Sequence, residues 1–392
     1  MRRRDISKAI LASATGSVLL SQRTEAQTCT APCYPQTYAE QHAAPPVTPT
    51  NTAYPEGNAF RYMTVAQSTD VVAGTLTQDV TVPLRTAISV GVPVFLPNGY
   101  YLITGSINPT GIKQFELYGN PYKSQLINKA APNTPTLILT DCLYFVVSGI
   151  VLGGRAGFPN QGLLINTAGG TTHTAFGVFN DVCIQSNGIG IELQKCNTIR
   201  FNRVSYWPSN GIGGILNTCD AGTRKYAAFA DGTIAGNFSN EVTFDACNLT
   251  GVDNTISGYS SVSIAAPTLG NSQVVRLIDC ELEGTPVFLG KIFNPEIAGC
   301  YLDRSAVTLN NCRYGSLKNS FNPHTVSLVG CVNIAVEHLA QGNVGDTLTI
   351  DNTSTNCAVI NCSLVSFADN GAHTTLLNWN LQGTVQKDKL NL

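Results

Sequence analysis

The sequence predicts an all-β fold, a single-stranded parallel β-helix of about ten coils with a short N-terminal capping helix. Three observations carry this expectation: two recurring side-chain patterns, a constant offset between them, and a period near 20 residues. In the first pattern a cysteine follows a leucine by three residues, at Leu139/Cys142, Leu193/Cys196, Leu216/Cys219, Leu309/Cys312 and Leu328/Cys331. Leu269/Ser272 and Leu289/Ile292 share the frame without the sulfur.

The second pattern runs hydrophobic residue, any residue, turn residue, small or apolar residue. It reads Val147-x-Gly149-Ile150, Phe179-x-Asp181-Val182, Phe201-x-Arg203-Val204, Phe244-x-Ala246-Cys247 and Leu277-x-Asp279-Cys280. It continues as Ile297-x-Gly299-Cys300, Leu317-x-Asn319-Ser320, Val336-x-His338-Leu339 and Val359-x-Asn361-Cys362. The two are locked together. Cys142 to Ile150, Cys196 to Val204, Ser272 to Cys280, Ile292 to Cys300, Cys312 to Ser320 and Cys331 to Leu339 each span eight residues. Apolar residues two apart, as in Val326/Leu328 and Leu348/Ile350, make the repeating elements strands. Short strands that keep one sense through every repeat cannot form hairpins. Stacked in parallel, coil on coil, they satisfy their backbones and bury a continuous core.

The same spacing explains the 13 cysteines. A slot that accepts Cys, Ile, Val, Leu or Ser is an interior packing position, where a thiol acts as a small hydrophobe. Stacked parallel side chains also aim their Cβ vectors the same way, which disfavours a bridge between coils. Free, inward-facing thiols are expected, with Cys29 and Cys33 as the one candidate disulfide. The odd cysteine count then needs no further partner.

Length alone would suggest two or three domains for 392 residues, but a solenoid's length counts coils. Residues 1–26 read as an export signal: Arg2-Arg3-Arg4, Ile6 and Lys8 precede a weakly apolar run from Ala9 to Leu20, a twin-arginine-type arrangement. The mature chain is accordingly expected in the periplasm or secreted, without membrane insertion after cleavage. Residues 27–57, with Pro45, Pro46, Pro49 and Pro55, read as a leader and extended linker. The β-helix follows over 58–366, and 367–392, with Leu376, Leu377 and Trp379, would form a C-terminal cap or tail. Leu84, Ala87 and Ile88 fall on one face of a short helix between Pro83 and Ser89, placed to cover the open first coil.

Composition narrows the function. Only 12% of residues are charged and the net charge is −2, so nucleic acid has no electrostatic support as a partner. Neither a Gly-x-Ser-x-Gly elbow nor a Gly-Lys-Ser/Thr phosphate loop occurs, which excludes the enzymes built on them.

Three segments carry a family resemblance: Gly57-Asn58-Ala59-Phe60-Arg61-Tyr62, Pro83-Leu84-Arg85-Thr86-Ala87-Ile88, and Val94 through Ile103. They resemble the first coil of pectate-lyase-like, rhamnogalacturonase/epimerase-like right-handed β-helix proteins, over about 45 residues of the chain. The resemblance implies a right-handed, pectin-lyase-like solenoid and a secreted, carbohydrate-directed role. Met63 to Gln78 departs from the Asp- and Gly-rich stretch usual there. The Asn-x-Asp, Asp-Asp, Gly-His-Gly and Arg-x-Lys signature of polygalacturonase-type relatives is absent from the coils. No catalytic residue transfers.

Repeat arithmetic instead locates decorations, which seat function on a regular scaffold. Extra residues fall between Cys219 and Cys247, between Cys247 and Leu269, and between Leu152 and Thr174. The first two would flank the strand that ends in Leu-x-x-Cys. Its outward residues would then floor a cleft: Glu192 and Gln194, Ile215 and Asn217, and Thr268. Walls would come from Asp220, Arg224, Lys225, Tyr226 and Asp231 on one side, and from Tyr206, Trp207, Asp253 and Tyr259 on the other. Aromatic plates beside charged groups suit a sugar chain. The catalytic candidates are Glu192, Asp220, Arg224 and Lys225. A hydrolase would pair Glu192 with Asp220, and a lyase would use Arg224 or Lys225 as base or charge clamp. Gln194, Tyr206, Trp207, Asn217, Tyr226 and Asp231 are the binding candidates. No metal site is expected; Ca²⁺ at Asp279, Glu281 and Glu283 is the weaker alternative to solvated turns. The function expected is a polysaccharide lyase or glycoside hydrolase acting on an acidic or plant-type polysaccharide. The alternative is a non-catalytic glycan-binding or tailspike/adhesin-like β-helix, with homotrimerisation left open.

Overall fold

The computed structural model describes residues 33–131, 134–154, 161–168, 173–185, 189–206, 225–249, 259–282, 286–381 and 384–385. The export signal, Cys29 and Cys219 lie outside these residues. Cys33 is disulfide-bonded.

From Val94 onward the chain is a parallel β-helix with three faces. Sheet A has twelve strands, from Val94–Leu96 to Thr375–Leu377, and sheet C has ten, from Pro135–Thr140 to Phe367–Asp369. The third face, sheet B, begins as five strands between Gly99–Ile103 and Ser205–Tyr206. It continues as single bridges from Ser205 through Asn248, Glu281, Tyr301, Phe321 and Ala340 to Ser363. Strand pairs are parallel except the last, Asn380–Leu381 with Thr384–Val385. No helix among the described residues is long and apolar enough to cross a membrane.

Each of the nine hydrophobic-x-turn-small repeats coincides with one sheet A strand and the corner after it. The turn residues Gly149, Asp181, Arg203, Ala246, Asp279, Gly299, Asn319, His338 and Asn361 all have φ between 50° and 66°. That left-handed geometry turns the chain from sheet A to sheet B, and Gly, Asn and Asp reach it most cheaply. Gly299 is required twice over, because a Cβ there would lie 2.1 Å from Asp279 Oδ1. The residue after each corner points inward: Ile150, Val182, Val204, Cys247, Cys280, Cys300, Ser320, Leu339 and Cys362 are all buried. The apolar residue two before the corner stacks with its counterparts. Phe179, Phe201 and Phe244 are fully buried, with ring centroids 4.8 and 4.7 Å apart and planes within 12°.

Ten cysteines are free and buried among the described residues. Many of their thiols donate to a carbonyl of the preceding coil, as from Cys247 to Phe201 (3.3 Å), Cys300 to Leu277 (3.3 Å) and Cys331 to Leu309 (3.2 Å). A leucine or isoleucine fills the same space but leaves that carbonyl without the weak bond, which is what cysteine adds here.

The Leu-x-x-Cys frame holds at Leu139, Leu193, Leu309 and Leu328, whose leucines line the interior of sheet C. It holds without the sulfur at Leu289, in Val287–Gly290, but not at Leu269, which lies in a turn. Lys225–Ala230 pairs with Ile189–Leu193 on one side and Tyr259–Ala265 on the other, so the sheet C strand next to Glu192 is Lys225–Ala230; Leu216 lies outside the described residues. Ile264, not Leu269, pairs with Leu289.

Three helices precede or cover the first coils. The α3 helix, Thr81–Ser89, buries Leu84, Ala87 and Ile88 as its pattern predicts. The α2 helix, Val65–Ala73, occupies the stretch that departs from the family resemblance. Its capping box, Thr64 with Gln67, and its left-handed C-cap Gly74 (φ 69°) are both readable in the sequence. The α1 helix, Tyr38–His42, carries Glu40, which is fully buried against Arg61 of the 3₁₀ turn Ala59–Tyr62. At the other end the residues expected as a cap supply more coil. Phe367–Asp369 joins sheet C, Thr375–Leu377 joins sheet A, and Phe367 packs edge-on to Trp379 at 5.2 Å.

Candidate functional site

The outward face of sheet C carries a groove of about 400 Å³ across the middle coils. Strand alternation decides what reaches it. In Ile189–Leu193, Ile191 and Leu193 point into the core, which leaves Glu192 facing out. Register places Glu192 beside Phe229, Phe229 beside Ser263, Ser263 beside Phe288, and Phe288 beside Thr308. Tyr226 stacks on Phe229 with centroids 4.4 Å apart and planes 11° from parallel. Tyr226, Phe229, Ser263 and Phe288 line the groove together with Asp231, Gly232, Thr233, Ala265, Gly290, Lys291 and Asn310, and Glu192 borders it beside Phe229.

The polar groups of this face are held in place. Gln161 Nε2 donates to Glu192 Oε2 at 2.5 Å, and the Gln194 amide donates to Oε1. Asp231 Oδ1 accepts from the backbone N–H and hydroxyl of Thr233, at 2.8 and 2.7 Å, which fixes the turn leaving Lys225–Ala230. Lys291 donates through Nζ to the Pro267 carbonyl at 2.8 Å. An aromatic plate thus lies next to an anchored carboxylate, with a second carboxylate one coil on and two residues further along the strand direction.

Of the residues expected from sequence, the structure brings Glu192, Gln194, Tyr226 and Asp231 to this face. Tyr226 and Asp231 belong to the floor strand and the turn that leaves it, rather than to an inserted wall. Tyr206 is a correction: it is 1% exposed and lies inside the coil. It pairs in register with Ile184, and its ring fills the space above Gly190, where a Cβ would clash at 2.5 Å. Trp207, Asn217, Asp220, Arg224, Ile215 and Asp253 lie outside the described residues, as do the side chains of Lys225 and Tyr259. Thr268 lies in the turn after Tyr259–Ala265. Phe229, Phe288 and Lys291 were missed. Phe288 was legible through its place in Val287–Gly290 between inward Val287 and Leu289.

At the calcium candidate, Asp279 occupies a left-handed corner and Glu281 accepts from Asn248 Nδ2 at 2.7 Å; Glu283 lies outside the described residues. Among the described residues no group of three or more His, Cys, Asp or Glu side chains could hold a metal ion.

No protein-family model and no curated protein sequence matches the chain. Solved structures do. The surface adhesin PfbA of Streptococcus pneumoniae aligns with a TM-score of 0.62 at 13% identity, over 83% of this chain and 89% of that one. The A-module of the Azotobacter vinelandii mannuronan C-5 epimerase AlgE4 gives 0.58 at 10% identity, over 84% and 97%. ORF18 of Geobacillus virus E2 gives 0.54 at 12% identity over 86% of this chain, which spans 63% of that one. The adhesin and the epimerase module are right-handed parallel β-helix proteins, and at these identities what the chain shares with them is the fold.

Proposed function

We propose that the protein is exported and carbohydrate-directed, holding an extended acidic or plant-type polysaccharide in the sheet C groove and cleaving it as a lyase or glycoside hydrolase. The observation that carries this reading is Glu192 beside the stacked Tyr226 and Phe229 plate. Sugar rings present apolar faces to aromatics and hydroxyls to fixed polar groups, and this floor offers both. A fold neighbour named for action on mannuronan, a polyuronide, supports the choice of ligand class. In a hydrolase, Glu192 takes one carboxyl role and Asp220 or Asp231 the other. In a lyase, one of Arg224 and Lys225, in its neutral form, removes the proton α to the uronate carboxylate while the other, as a cation, clamps the enolate charge; the glycosidic C–O bond at C4 breaks, its oxygen takes up a proton from water, and a C4–C5 double bond forms.

One observation favours the second reading, glycan binding without chemistry in a tailspike- or adhesin-like protein. Both Glu192 oxygens already accept amide N–H groups, which suits a fixed acceptor better than a proton donor. The test is incubation of the mature protein with polyuronides and plant polysaccharides, following ultraviolet absorbance of unsaturated ends and new reducing ends. Cleavage that Glu192→Gln abolishes supports the enzyme at this site. Binding with no product of either kind overturns cleavage and leaves the binding module.

A further inference from the structure

We propose a second glycan site on sheet A, a different face from the sheet C groove, which takes a carboxylate-bearing sugar strand through Arg200 and a stacked Tyr144–Phe176 plate. The two rings lie 5.0 Å apart with planes within 8°, yet both are exposed, Tyr144 by 58% and Phe176 by 45%. Both also sit in left-handed backbone, at φ 55° and 57°. That conformation is unfavourable for a bulky residue; equivalent corners of other coils use Gln114, Thr198, Glu241, Asn333, Asn356 and His373, with Tyr314 as a single further aromatic. A parallel pair of exposed rings on adjacent coils, at a corner filled mostly by polar residues, runs against backbone preference and leaves an apolar face in solvent, which a ligand stacking on it would cover.

Beside the plate a groove of about 440 Å³ runs across the coils, lined by Phe176, Thr198, Arg200, Glu241, Thr243 and Arg276 among others. Arg200, Thr243 and Arg276 are register neighbours on one outward column, so the two guanidinium groups stand two coils apart, about 10 Å along the axis. Glu241 is engaged by the Thr198 hydroxyl at 2.7 Å and Arg276 by Glu296 at 3.2 Å. Arg200 is exposed and has no hydrogen-bond or ion-pair partner among the described residues. A free planar fork next to an aromatic plate is matched by a uronate, whose carboxylate accepts two parallel N–H bonds while its ring covers Phe176. Lys291, the cation among the described residues that line the sheet C groove, is by contrast already spent on a carbonyl.

The test is affinity electrophoresis of the mature protein through gels containing polygalacturonate, alginate, hyaluronate or neutral dextran, with sedimentation to follow assembly. At least one acidic polymer should retard the protein more than dextran does. Arg200→Gln should weaken that retardation about tenfold or more, the loss of one charge-assisted pair, and Phe176→Ser should weaken it comparably. Both side chains are exposed, so an unchanged melting curve serves as the folding control. The proposal fails if no acidic polymer exceeds dextran, or if the two variants keep full retardation. It fails equally if they change only the oligomeric state, which would make the plate a subunit contact. Glu192→Gln, on the other face, separates this outcome from that of the sheet C reading.

Discussion

Arg61 Nε donates to Glu40 Oε1 at 2.5 Å with both side chains fully buried. The rest of the guanidinium is spent on Glu40 Oε2 and on the carbonyls of Tyr34, Pro35 and Tyr54, at 2.8–3.0 Å. A proline-rich leader with little core of its own is thereby fastened over the first coil. Removing one partner of such a pair strands a buried charge. Arg61→Met should therefore cost about 3–5 kcal/mol of local stability. Limited proteolysis is the measurement, with cleavage appearing first within 34–57 while the later coils stay protected.

Acid should act on the same contact. Burial pushes Glu40 up, but hydrogen bonds from Arg61, the Thr37 N–H and Tyr62 outweigh it and hold the carboxyl below its ordinary value. A lowered folded pKa means the unfolded state binds more protons. The stabilisation is complete above the unfolded value, about 4.3, and is lost as pH falls through the lower folded one. Protease sensitivity of the leader should stay flat from pH 7 to about 5 and rise below about 4, and Glu40→Gln should abolish that rise.

The phenylalanine stack is a structural element independent of any ligand. Phe201→Ala removes the ring between Phe179 and Phe244 and should destabilise the middle coils by about 3–5 kcal/mol. Hydrogen exchange, read coil by coil, should show the loss centred on Phe179–Phe244. Uniform loss along the solenoid would contradict nearest-neighbour coupling.

Corner geometry predicts opposite signs for two small changes. Ala246 holds φ 50° with a Cβ, so Ala246→Gly should be neutral or stabilise by up to about 1 kcal/mol. Gly299→Ala meets both the strained φ and Asp279, and should lower the melting temperature. Thermal melts of the two variants decide it.

The core thiols should be inert in the folded state. Burial pushes Cys312 up to about 11 and Cys331 up to about 12, so these form little thiolate near neutrality; contact with the Cys280 thiol lowers Cys247 and Cys300, and there it is burial that keeps reagent away. Alkylation at pH 8 followed by mass spectrometry should leave the ten buried cysteines unmodified until denaturant is added. Rapid native labelling of Cys312 or Cys331 would contradict their interior placement.

The sequence by itself determined the repeating coil. Gly149, Asp181, Asn319 and Asn361 mark corners because few residues tolerate left-handed backbone, and Cys280 or Leu339 mark the interior because the slot is small and apolar. Both are local demands repeated many times, so spacing alone reveals them. Capping of α2 by Thr64 and Gly74 was equally local. Glu192 could be placed outward from strand alternation. Tyr206 could not be placed inward, and the strand after Glu192 could not be found at Lys225, because an inserted stretch breaks the period that had been the guide. Which outward residues meet is a matter between coils. Tyr226 on Phe229, Phe229 against Glu192, and Arg200 near Phe176 are neighbours only once register is fixed. Register depends on the length of each excursion, which only the packed solenoid decides.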